Sequence, residues 1–74
     1  MKAQQMFMEL GWNEMTKYLD ISIRVSNGKS TIHFYLIDKT WNHTDWYIGR
    51  SDGISVDLHQ AITQQMEELG WINV

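Results

Sequence analysis

Apolar residues recur along this chain with two different periods, and the change of period divides it into elements. Ala3, Met6, Phe7 and Leu10 fall at i, i+3, i+4 and i+7, one stripe of an amphipathic helix with Gln4, Gln5 and Glu9 on its wet side. Gly11 supplies the left-handed residue that ends such a helix, and Trp12 folds back on the last turn as in a Schellman cap. The pattern returns near the other end, where Leu58, Ala61, Ile62, Met66 and Leu69 form a second stripe. Ser55 stands there as N-cap, Asp57 suits the positive end of the helix dipole, and Gly70 with Trp71 repeats the stop. Aligned without gaps, Gln5 to Trp12 and Gln64 to Trp71 share five of eight positions. A common capping solution accounts for this more simply than a duplicated unit, and it makes both Trp residues anchors.

Between the helices the period drops to two. Leu19, Ile21, Ile23 and Val25 alternate with Asp20, Ser22 and Arg24, the mark of a half-buried strand. Asn27-Gly28 follows, and such a dipeptide predicts a type I′ hairpin because both central residues take positive φ. With Ser26 opposite Lys29, Ile23 pairs with Ile32, Ile21 with Phe34 and Leu19 with Leu36, all apolar on one face. A third strand is expected from Thr44 to Arg50 after a connecting loop Lys39 to His43, with Leu36 facing Trp46 and Phe34 facing Ile48. Asp52-Gly53 then turns the chain and Ile54 leads into the last helix, while Asn13 to Lys17 reads equally as a short helix or a loop. A small antiparallel sheet needs a cover. The expected fold is therefore a two-layer α+β domain of order α-β-β-β-α, three antiparallel strands with both helices over Ile21, Ile23, Phe34, Leu36, Trp46 and Ile48.

Composition narrows the function more than the fold. A chain of 74 residues has room for one small domain, expected to span residues 1–74. The absence of cysteine excludes disulfides, thiol catalysis and a Cys-based zinc site, and agrees with a cytoplasmic location. A net charge of -3 works against binding nucleic acid or an anionic membrane through bulk electrostatics. No stretch has the length and apolarity of a membrane span or a secretion signal, so no membrane association is expected.

The candidate chemistry sits on the face that the helices leave open. The expected register places Arg24, His33, Tyr35, Ile37 and Tyr47 there, with Tyr35 beside Tyr47. Rings on an open face can pack on a protein partner or stack bases, and they are also simply good strand formers on a wet surface. The loop from Lys39 to Trp46 is the second candidate: Trp41 is either a partner anchor or a lid on one end of the core. His33, His43 with Asp45, and His59 lack metal-ligand spacing, so no metal or other cofactor is expected. No serine occupies a nucleophile elbow, there is no Gly-rich phosphate loop, and Glu67 and Glu68, being adjacent on a helix, point apart; no catalytic residue emerges. Met6 belongs to the buried stripe, but Met8 and Met15 do not clearly do so; an exposed Met8 favours an adaptable surface for a partner helix.

The two ends, Ala3-Gln4-Gln5-Met6-Phe7-Met8-Glu9-Leu10-Gly11-Trp12 and His59 to Trp71, resemble the ends of small uncharacterised proteins of Gram-positive phages and prophages. The resemblance covers a third to a half of the chain. It implies a mobile-element origin and an accessory role, and it transfers no catalytic residue. The passage Gly53-Ile54-Ser55 before the Leu58 helix is also similar to that of the transcriptional-coactivator type of single-stranded DNA binder, from which this chain departs by its leading helix and acidic balance. The expectation is a small non-enzymatic protein-binding module, pairing with itself or another protein through Arg24, His33, Tyr35, Trp41 and Tyr47. The alternative is single-strand nucleic-acid binding on the same face.

Overall fold

In the computed structural model, which describes residues 1–45 and 54–72, the order is α1 (Ala3–Glu9), β1 (Glu14–Tyr18), β2 (Ser22–Ser26), β3 (Ser30–Tyr35), β4 (Thr40–Asp45) and α2 (Val56–Glu68). The four strands form an antiparallel sheet in sequence order, α-β-β-β-β-α, which corrects the expected three-stranded arrangement. The added strand, β1, falls on the segment that reads as helix or loop.

Both helix ends are built as their residues require. Trp12 N–H donates to the Phe7 carbonyl at 2.9 Å and Gly11 N–H to the Met8 carbonyl at 3.0 Å, with Gly11 at φ 88°. At the end of α2, Trp71 N–H reaches the Met66 carbonyl at 2.9 Å and Gly70 N–H the Glu67 carbonyl at 3.0 Å, with Gly70 at φ 76°. These are two Schellman motifs, each satisfying carbonyls that the helix leaves free. Ser55 Oγ accepts the Leu58 N–H at 3.1 Å and caps the start of α2.

The strands depart from the expected register for identifiable reasons. Only Gly28 takes positive φ in the β2–β3 turn, at 89°, whereas a type I′ turn needs two such residues. Asn27 instead follows β2 directly, and its Oδ1 accepts from Lys29 N–H at 2.8 Å and Ser30 N–H at 2.7 Å. The central pair of the turn is thus Gly28-Lys29, and Ile23 faces Phe34 while Val25 faces Ile32. A shift of two positions keeps the same residues on the same face, so the buried face survives the change. The strand that alternation extends back to Leu19 actually stops at Ser22, because Leu19 adopts φ 49° and Ile21 N–H closes a turn on the Tyr18 carbonyl at 3.1 Å. A left-handed Leu costs about 1–2 kcal/mol.

The last strand differs more. It starts at Thr40, after a turn in which Lys39 takes φ 57°, so Trp41 lies in a strand and not in a loop. Phe34 faces Trp41, and Ile32 faces His43. Against the expected pairing of Phe34 with Ile48 this is an odd displacement, which exchanges the two faces of the strand. Trp46, Tyr47, Ile48 and the Asp52-Gly53 turn lie outside the described residues.

One face of the sheet is closed. Ile23, Val25, Ile32 and Phe34 are buried with Ala3 and Phe7 of α1, Trp12, and Leu58, Ala61 and Ile62 of α2. Phe34 is the hub, edge-on to Phe7 at 6.4 Å and tilted against Trp71 at 6.3 Å between ring centroids. Ile21 and Leu10, expected in the core, are exposed. The helices lie antiparallel: the Ala3 N–H at the start of α1 donates to the Glu68 carboxylate at the end of α2, 2.6 Å away. Among the described residues no helix is long and apolar enough to cross a membrane.

Candidate functional site

Strand alternation fixes what the open face presents. β1 contributes Glu14, Thr16 and Tyr18, β2 contributes Ser22 and Arg24, β3 contributes His33 and Tyr35, and β4 contributes Thr40, Asn42 and Thr44. Across the strands Thr16, Arg24, His33 and Asn42 form one row, and Tyr18, Ser22, Tyr35 and Thr40 the next. Arg24, His33 and Tyr35 are therefore brought together as expected from the sequence. Tyr35, expected beside Tyr47, faces Thr40 of the adjacent strand.

The rings are held in place. His33 and Tyr35, two residues apart on β3, lie with planes 18° apart and centroids 5.8 Å apart. Asn42 Nδ2 donates to the Tyr35 hydroxyl at 3.3 Å, tying β4 to the pair. Arg24 stays exposed beside them. Glu14 is the one carboxylate that the described strands place on this face; Glu9, Asp57, Glu67 and Glu68 belong to the helix layer and Asp20 and Asp38 to turns.

The Tyr row runs along the end of the sheet where two turns meet. The β1–β2 and β3–β4 turns are joined by the Leu36 N–H, which donates to the Ile21 carbonyl at 2.9 Å. Leu36 packs against the core, but Tyr18 at the end of β1 is 62% exposed, and the turn residues Leu19 and Ile37 are 70% and 76% exposed. Ile37, expected on the open face proper, is a turn residue at its border. Apolar side chains held out by tight turns beside a ring-bearing face offer desolvation energy to a partner that covers them.

Trp41 is absent from this surface. It is half-buried on the opposite face of β4, packed against the core, so the structure selects the lid reading over the exposed anchor. His43 is on that side too, its ring 6.3 Å from Trp12. His33, His43 and His59 thus belong to the open face, the core face and the last helix respectively, and the described residues contain no group of three or more metal-binding side chains. Tyr18 and Asn42 are not legible as face residues in the sequence, for different reasons. Tyr18 alternates with Lys17 and Met15, a signal masked by the apolar run that continues through Leu19; Asn42 reads as a turn residue.

Comparison with protein-family models, with curated proteins and with solved structures finds no match to this chain.

Proposed function

We propose that the chain is a non-enzymatic protein-binding module that contacts its partner through the open sheet face and the adjoining turns. The observation that carries this reading is the exposure of Tyr18, Leu19 and Ile37 next to the ordered His33–Tyr35 pair and Arg24. Interfaces combine such parts: aromatic and Arg contacts at the centre, apolar side chains to desolvate, and polar groups at the rim. A strand of nucleic acid needs a track of cations for its phosphates, and Arg24 is the one Lys or Arg that the described strands place on this face. The resemblance of the chain ends to phage and prophage proteins supports an accessory role for a mobile element in a cytoplasm.

The test is retention from a Gram-positive bacterial lysate on immobilised protein, with and without nuclease. It is run beside a folded Arg24→Glu/Tyr35→Ala variant. A stoichiometric protein that survives nuclease and is lost with the variant is the expected result. Retention unchanged by the variant removes the assignment to this face. Material lost on nuclease treatment replaces the reading with nucleic-acid binding, and retention of the chain itself makes the partner a second copy.

A further inference from the structure

We propose that the groove between the two helices is a second binding site, and that it takes a basic amphipathic helix from a partner protein. The groove has a volume of about 400 Å³ and is lined by Met1, Met6, Glu9, Leu10, Asp57 and Gln60. It is on the opposite side of the sheet from Arg24 and Tyr35, and it does not depend on their role. The antiparallel packing set by the Ala3–Glu68 hydrogen bond brings the end of α1 beside the start of α2. That places Glu9 and Asp57 on the rim of one cavity although they are far apart in sequence.

The lining defines the ligand. Met6 and Leu10 are one helical turn apart, the first half-buried and the second exposed, and they give the groove an apolar, adaptable floor. Met8, on the same helix, is 53% exposed, so α1 is not a helix that buries all its methionines. The rim is acidic. α1 and α2 carry Glu9, Asp57, Glu67 and Glu68 but no Lys or Arg; the cations at the Met1 end are Lys2 and the terminal amine. An apolar floor between carboxylates complements a helix whose apolar stripe is flanked by Lys or Arg. An acidic helix brings like charges together there.

The test uses a fluorescein-labelled amphipathic helical peptide of Leu and Lys, and a twin in which Glu replaces Lys, titrated by anisotropy at low salt. Saturable one-to-one binding of the Lys peptide and none of the Glu peptide is expected. The Glu9→Gln/Asp57→Asn variant should weaken binding about tenfold, as for two exposed ion pairs, and Leu10→Ser should weaken it several-fold through the floor. Glu14→Gln, on the sheet, should bind like the parent chain. Binding of both peptides alike, absence of saturable binding, or an equal loss in Glu14→Gln overturns the proposal, the last by revealing diffuse attraction to an acidic protein. Glu9→Gln alone, at an exposed position, keeps the test open where a double change disturbs folding.

Discussion

Neighbouring residues on β2 and β3 meet opposite fates on the two sides of one sheet. Ile23, Val25, Ile32 and Phe34 are buried beneath both helices, whereas Arg24, His33 and Tyr35, one position along the same backbone, stand on a face that the described helices do not cover. Burying an aliphatic or aromatic side chain stabilises by roughly 1.5–3 kcal/mol, while exchanges at exposed positions mostly stay within about 0.5 kcal/mol. Stability is thus concentrated on alternate residues, and Arg24, His33 and Tyr35 between them are available for recognition, while Ser26 and Thr31 at the other end of that face are buried. The division weakens at the β1 edge, where Met15 still packs toward the core but Lys17, on the same face, is exposed.

The largest effect on this division is expected at its hub. Phe34→Ala should cost about 3–5 kcal/mol, a large part of the few kcal/mol that a chain of this size retains. Thermal unfolding followed by circular dichroism should lose its cooperative transition. Tyr35→Ala, the next residue, should leave the midpoint nearly unchanged; equal damage from both would mean that the faces are not energetically distinct.

A smaller loss is expected at the helix stops. Among the described residues, chain neighbours aside, no atom lies within 4 Å of where a Cβ would stand on Gly70, so the cost of Gly70→Ala is that of φ 76°. That strain is about 1–2 kcal/mol, read as a lower denaturant midpoint with an unchanged slope. Gly11→Ala, at φ 88° and equally unobstructed, should behave alike, and the two losses should add. A double variant no worse than either single one would show that one helix end frays without consequence.

How legible these features were depends on whether the local residue carries the physical cause. The stops at Gly11-Trp12 and Gly70-Trp71 and the cap at Ser55 were readable because the conformation needs those residue types, and the hydrogen bonds are formed. The hairpin was readable to within two positions, since Asn27-Gly28 marks a turn without saying which residue leads it. The added strand, β1, is not legible in the sequence. Its turn puts Leu19 at φ 49°, a place where Gly or Asn is the usual signal, and the apolar alternation runs unbroken through it. The β3–β4 turn likewise uses Leu36-Ile37-Asp38-Lys39 without glycine, which displaced the next strand and turned Trp41 inward. Gln65 interrupts the apolar α2 stripe with a polar side chain, yet it is buried. Arg24, His33 and Tyr35 keep the expected face because a register shift of two preserves it.

The smallest change in intrinsic stability, and a distinct change in assembly, is expected at Lys17. β1 is the edge strand beyond β2, and such an edge carries backbone groups able to pair with another chain. An exposed charge on the core-side face of that strand opposes addition of a further strand, because the ammonium would have to enter the apolar layer extended by the newcomer. Lys17→Val removes the charge and adds a good strand former, so unfolding at low concentration should shift by no more than about 0.5 kcal/mol. Sedimentation at rising concentration should then reveal dimers or larger species that the parent chain does not form through this edge. Tyr18→Lys added to Lys17→Val restores a cation to the strand but on the open face. Continued association in that pair would locate the block on the core side, whereas its reversal would show that charge on either face of β1 suffices.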